Sequence, residues 1–222
     1  MSRVMIVAAH PDDETIGCGG TLLKHRSAGD HVHWVIVTDI VKTALSFGIS
    51  AETRRSEIES VALRYGFEGI HQLGLPAACL EQRSLHELVS ALRHVIETVR
   101  PDNLLLPFRS DIHSDHRIVF KAAASSCKQF RCPWIRRIAM YETLSESEYA
   151  PLLGPDLFHP NTYTDISHWF NEKIEIMKIY SSEVMPDPWP RSPMAIEALA
   201  RLRGSHIGVS HAESFMMIFE RN

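Results

Sequence analysis

The chain has 222 residues, 45% hydrophobic and 23% charged, which excludes a disordered or fibrous protein and is long enough to bury a core without metal or disulfide staples. Its 23 basic and 27 acidic residues give a net charge of −4, so no basic excess exists to neutralise phosphates, and nucleic acid is excluded as the main partner. The four cysteines (Cys18, Cys79, Cys127, Cys132) form no CxxC pair or disulfide framework, which fits a reducing cytoplasm; no apolar stretch approaches the roughly 20 residues of a spanning helix, and the N-terminus lacks a signal-peptide pattern.

The continuous apolar run from Val4 to Ala9 predicts a strand buried on both faces. A helical pattern follows from Gly20 to Ala28, then a second strand from Val32 to Thr38, a helix from Ala51 to Tyr65 and a weaker strand from Gly69 to Leu73. Ser84 and Glu87, three apart, form a capping-box signature for a helix from Ser84 to Val99. Leu104 to Pro107 and Ile135 to Tyr141 read as strands either side of a helix from Asp115 to Cys127. This alternation predicts an α/β fold, a Rossmann-like doubly wound, mostly parallel sheet over residues 1–141 with right-handed crossovers.

Beyond Tyr141 the pattern changes. Residues 142–167, with Pro151, Pro155 and Pro160, predict a long structured loop. A helix from His168 to Tyr180, the proline-rich stretch Pro186 to Pro193, a helix to about Leu202 and a last strand from Ala212 to Glu220 complete the chain. Residues 142–222 are too short and broken to own a large core, so they are expected to be an extension packed on the sheet within one domain, 1–222.

Two clusters carry chemistry. The first strand runs into Ala9-His10-Pro11-Asp12-Asp13-Glu14-Thr15, and the fourth into Asp111-Ile112-His113-Ser114-Asp115-His116. Acids and a histidine directly after a buried strand are costly unless solvated, paired or bound to a cation. In the strand order 3-2-1-4-5 the first and fourth strands are neighbours, and both clusters reach the crevice at their carboxyl ends, where ligands bind. Two histidines and one carboxylate suit a divalent metal such as Zn²⁺ and leave a position open for water, whose pKa the metal lowers to about 7. A second, unligated carboxylate can take that water's proton, and a further histidine can steady an oxyanion or protonate a leaving amine. Two other readings use the same residues: the facial triad of a non-haem Fe(II) oxygenase, and a non-catalytic module that binds metal or carbohydrate. The α/β crevice argues against the first and the spare carboxylate against the second. Gly17, Gly19 and Gly20 do not make a GxGxxG fingerprint, and close packing of a helix on the sheet is their better reading. Glu14 is expected to support the site by hydrogen bonding. For Tyr163, Trp169, Trp189, His206 and His211, packing is favoured over a place in the pocket.

Ala-His-Pro-Asp-Asp-Glu at the first strand, with His-Ser-Asp-His after the fourth, resembles the PIG-L/LmbE-like family of zinc-dependent N-acetylglucosaminyl deacetylases. Arg54-Arg55-Ser56-Glu57, Tyr141-Glu142-Thr143, Arg203-Gly204 and Ala212-Glu213-Ser214-Phe215 extend the likeness along the chain, while Ser114 stands where many members have Pro. The resemblance implies His10, Asp13 and His116 as ligands for Zn²⁺ or another divalent metal such as Fe²⁺. It implies Asp12 as general base, His113 as the electrophilic or general-acid histidine, and Asp115 as the partner that orients a histidine. Arg54 resembles a substrate-binding arginine aimed at an anionic or hydroxyl-rich group, with Arg55 its nearest competitor. The implied substrate is a small N-acetylated amino sugar or glycoconjugate that loses its acetyl group, and a homo-oligomer is compatible with the family.

Overall fold

The computed structural model describes residues 1–39, 49–150 and 157–221. The apolar runs become the strands β1 (Arg3–Ala8), β2 (His31–Asp39), β3 (Gly69–Pro76), β4 (Asn103–Pro107) and β5 (Arg137–Tyr141). They pair in parallel in the order β3-β2-β1-β4-β5, as the doubly wound reading requires. Two further strands, β6 (Thr162–Asp165) and β7 (Ala212–Glu220), extend this sheet beyond β5 in the order β5-β7-β6, both pairings antiparallel. The C-terminal residues therefore add to the sheet as well as pack on it.

Strand alternation divides the core between the two faces. In β1, Val4 and Ile6 join Trp34 and Tyr141 on one face, under α1 (Asp13–Ser27), α2 (Ala51–Tyr65), α5 (Phe170–Met177) and α6 (Pro193–Ser205). Met5 and Val7 join Leu104 and Leu106 on the other, under α3 (Leu85–Val99) and α4 (Ser114–Ser126). Leu88, Leu92, Val95, Ile96 and Val99, at helical spacing, give α3 its buried stripe. Among the described residues, no helix is long and apolar enough to cross a membrane.

Three local expectations change. The first helix begins at Asp13, seven positions before the predicted start at Gly20, and Gly17, Gly19 and Gly20 lie within it as the close-packing positions expected of them. A Cβ at Gly17 would lie 2.4 Å from Tyr141 Cδ2 and one at Gly20 2.6 Å from Ile166 Cβ, so α1 lies too close to its neighbours for any side chain there. Within the predicted loop 142–167, Thr162–Asp165 is an edge strand whose half-buried, polar sequence gives no apolar alternation to read. Pro151 and Pro155 of that loop lie outside the described residues. Ser84 does stand at the N-cap of α3, but its side chain accepts no hydrogen bond from the helix's first turn.

The C-terminal residues also grip α1. Glu213 accepts hydrogen bonds from the backbone N–H groups of Gly20 (2.9 Å) and Thr21 (2.7 Å). Lys173, from α5, donates to Glu213 at 2.7 Å and to the backbone carbonyl of Ile16 at 2.8 Å. Both charged side chains are buried, and each supplies the other's countercharge.

Candidate metal centre and active site

Parallel pairing of β1 with β4 sets their exits side by side. His10 and Asp12 lie in the turn after β1, and Asp13 opens α1; Asp111 and His113 follow β4, and Asp115 and His116 occupy the first turn of α4. The turn after β1 is held in an unusual shape. Asp12 has φ 118° and ψ −31°, outside the regions a residue with a Cβ ordinarily adopts. Its backbone is fixed on both sides: the N–H donates to Glu14 Oε2 at 3.0 Å, and the carbonyl accepts from Thr15 and Ile16 at 2.9 Å each. The carboxylate is thereby released from capping α1.

His10, Asp13 and His116 converge. His10 Nδ1 lies 3.3 Å from His116 Nε2, and His116 Nε2 lies 3.3 Å from Asp13 Oδ1. Tetrahedral zinc with bonds of roughly 2.0–2.1 Å needs ligand atoms about 3.3 Å apart, so this donor set fits such an ion. The remaining ring nitrogens are also engaged. His116 Nδ1 donates to Asp111 Oδ2 at 2.8 Å, and His10 Nε2 donates to Asp115 Oδ2 at 3.0 Å. A carboxylate behind each imidazole fixes the tautomer that turns the other nitrogen inward. His10, His113 and Asp115 form a second cluster with ligand-like spacing. Its Asp115 is already committed, however, accepting from the backbone N–H of Ala78 (2.7 Å) and Leu80 (3.3 Å) as well as from His10.

The charges follow from burial and pairing. Burial favours a proton on Asp13, but His116 and His10 outweigh it and hold its pKa below the usual carboxylate range. Burial opposes a proton on His116, yet Asp13 and Asp111 hold its pKa well above that of free imidazole. Asp12 is pushed the other way: burial, then Asp13 and Glu183, raise its pKa well above the ordinary value against the pull of Arg191. Burial lifts Glu14 to about 7 although Thr15 and Tyr180 donate to it, consistent with a supporting place behind Asp12. His113 accepts the Asp115 backbone N–H at Nδ1 (3.1 Å), so a neutral His113 carries its proton on Nε2. Burial, reinforced by His10 and His116, lowers its pKa to about 4.

These groups line a cavity of about 370 Å³ that takes in His10, Asp12, Asp13, His113, His116 and Arg54. Arg54 lies buried in its wall, whereas the neighbouring Arg55 is exposed. The aromatic and histidine candidates of the C-terminal region lie elsewhere: His211 stacks on Phe170 at 4.1 Å, and Tyr163 bonds His206 at 3.1 Å. Three participants carry no signal strong enough to be singled out from sequence. Asp111 opens the polar stretch after β4, but ligand spacing assigns it nothing; its role comes from the bond to His116 and from Ser147, which donates to it at 2.6 Å. Glu183 and Arg191 come from the aperiodic segment before α6, which folds over the cavity. Arg191 donates to Glu183 Oε2 at 2.7 Å and to Asp12 Oδ2 at 3.2 Å.

Residues 5–127 match the family described as GlcNAc-PI de-N-acetylase. The chain is similar to a diacetylchitobiose deacetylase of Thermococcus kodakarensis, with 24% identity over 98% of this chain and 84% of that protein. It is also similar to a probable N-acetyl-alpha-D-glucosaminyl L-malate deacetylase 2 of Bacillus cereus, with 24% identity over 82% of this chain and 83% of that one. In fold it is similar to a conserved protein of Thermus thermophilus, with a TM-score of 0.81 and 23% identity over 100% of this chain and 97% of the other.

Proposed function

Because the chain belongs to the GlcNAc-PI de-N-acetylase (PIG-L) family, we propose that it is a metal-dependent hydrolase that removes the acetyl group from an N-acetylated amino sugar or glycoconjugate. The observation that carries this reading is the meeting of His10, His116 and Asp13 beside a carboxylate, Asp12, that the ligand set does not use. His10, Asp13 and His116 would hold a divalent cation there, Zn²⁺ before Fe²⁺ on their spacing, and it would supply Lewis acidity and a lowered water pKa. Asp12, whose raised proton affinity suits a base, takes the water's proton. His113 faces the cavity with a proton on Nε2 and donates it as a hydrogen bond to the oxyanion of the tetrahedral intermediate. Asp115 holds His10 and Asp111 holds His116, so neither ring must reorganise during the reaction. Arg54 lines the cavity and would bound the sugar there. Asp12 then passes the proton it took from water to the leaving nitrogen, and as the C–N bond breaks the intermediate collapses to acetate and a free amine.

We read residues 1–222 as one working unit, because Arg54, Glu183 and Arg191 complete a cavity begun by the motifs of β1 and β4. The four free cysteines fit work in a reducing cytoplasm. The deciding experiment is a panel of N-acetylated sugars and glycosides assayed for acetate and amine release, with and without chelation. Release that stops on chelation and returns with Zn²⁺ supports the reading. Consumption of O₂ without acetate would favour the facial-triad oxygenase, and binding without turnover the non-catalytic module.

A further inference from the structure

The deacetylase reading leaves open what kind of sugar conjugate the cavity accepts, and the two arginines in its wall bear on this. An arginine in a substrate pocket recognises an anion only when its guanidinium is free to pair with it. Both charges are already paired here, although Arg54 Nε and Nη1 and Arg191 Nε have no hydrogen-bond partner among the described residues. Arg54 is paired with Glu183, lies 3.3 Å from Glu57 Oε2, and reaches Ser182 Oγ at 3.4 Å. Arg191 is paired with Glu183 at 2.7 Å and with Asp12 at 3.2 Å. Glu183 is the hinge of this arrangement: one of its oxygens holds Arg54 and the other holds Arg191. Among the described residues lining the cavity outside the ligand set, these two cations share it with three acidic residues: Asp12, Glu146 and Glu183. His10, Asp13 and His116 would be occupied with a bound cation and would offer no counterion to a distant part of the substrate.

We propose that Glu183 determines specificity by neutralising both arginines, so that the cavity takes an uncharged N-acetylated sugar and rejects conjugates that place a carboxylate or phosphate inside it. This rests on the deacetylase reading and narrows it. An anionic group in the cavity would have to displace Glu183 from two guanidinium groups or lie against Glu183 and Glu146, and either loses affinity. A neutral sugar leaves the ion pairs intact and offers hydroxyls to their rims.

Binding tests this separately from turnover. The Zn²⁺-loaded protein is titrated calorimetrically with two probes at fixed ionic strength: methyl N-acetylglucosaminide, which is neutral, and the malate glycoside of N-acetylglucosamine, a dianion. Acetate release is measured in parallel. The neutral glycoside is expected to bind at least about tenfold more tightly, a modest like-charge penalty. Glu183→Gln is expected to move the ratio at least about tenfold toward the dianion. Equal or tighter binding of the dianion by the unaltered protein overturns the proposal, as does failure to bind either probe. An unchanged ratio in a folded Glu183→Gln protein overturns the assignment to Glu183. Should that variant not fold, the unaltered protein's ratio still decides the charge preference. Absence of acetate from both probes counts against the deacetylase reading alone, while the binding ratio still judges the charge of the ligand.

Discussion

His10 and His116 stand 106 residues apart in the chain, yet their Nδ1 and Nε2 atoms lie 3.3 Å from each other. Each ring is held from behind by an aspartate on the α4 side of the site, Asp115 for His10 and Asp111 for His116. The crossing is unequal. His10 comes from the β1 turn and borrows its orienting carboxylate from α4, whereas His116 finds its own five residues upstream.

Asp111→Asn keeps the shape of that support but removes its charge. Metal affinity is expected to fall by about 10–100-fold, the usual effect of losing an orienting partner behind a ligand. Competition with a calibrated chelator measures it. Unchanged affinity would show that Asp111 only braces Ser147.

The adjacent aspartates separate by chemistry. Asp12→Asn removes the base but not a ligand, so the protein should keep stoichiometric metal and lose rate by roughly 10²–10⁴-fold. Asp13→Asn should lose metal affinity and recover part of its activity when metal is in excess. Elemental analysis beside turnover reads both, and a metal-free Asp12→Asn protein would reverse the two roles.

His113 bears on pH. With its folded value near 4 and the free value near 6.5, the native state prefers the neutral ring. Stability from neutral His113 is complete above the unfolded value and is lost as pH falls through about 4. NMR titration of the imidazole in metal-free protein should give a midpoint well below that of a free ring. Between pH 7 and 5 His113 should not by itself reduce the rate. A midpoint at the free value would remove it as a neutral hydrogen-bond donor.

Gly17→Ala tests the packing that places the catalytic turn. Its added carbon meets Tyr141 Cδ2 at 2.4 Å and the Glu142 carbonyl at 2.9 Å, and neither the buried ring nor the backbone can yield easily. Destabilisation of roughly 1–3 kcal/mol is expected, as for other overpacked interiors. Urea denaturation measures it, and a neutral substitution would mean that α1 shifts freely on the sheet.

The sheet and the two polar clusters that meet at its strand exits were legible in the sequence for a shared reason. Strands buried on both faces leave continuous apolar runs such as Val4–Ala9, and the acids and histidines that end them stand out against those runs. Where structure depends on contacts distant in sequence, the signal is lost. Gly17 and Gly20 read as close-packing positions, but their partners Tyr141 and Ile166 could not be named from sequence. Thr162–Asp165 becomes a strand only because β7 is there to pair with it. Arg191 and Glu183 lie among prolines without periodicity, so nothing local marks them as neighbours of Asp12. Asp111 was visible as an acid but not as a support, since a hydrogen bond to a ring five residues on depends on how α4 begins.

The grip of Glu213 on α1 also has an order in time. The helix whose first turn carries Asp13 is synthesised early, and the carboxylate that bonds its Gly20 N–H lies 193 residues later. Lys173 is made before its buried counter-ion, so until residue 213 emerges from the ribosome that ammonium has nothing at its other end. Once His116 has been made, a nascent chain thus holds every proposed metal ligand while it still lacks the clasp on the helix that presents Asp13. The part of the site made first is completed last, and a chain stalled before Glu213 would carry the motif without its anchor.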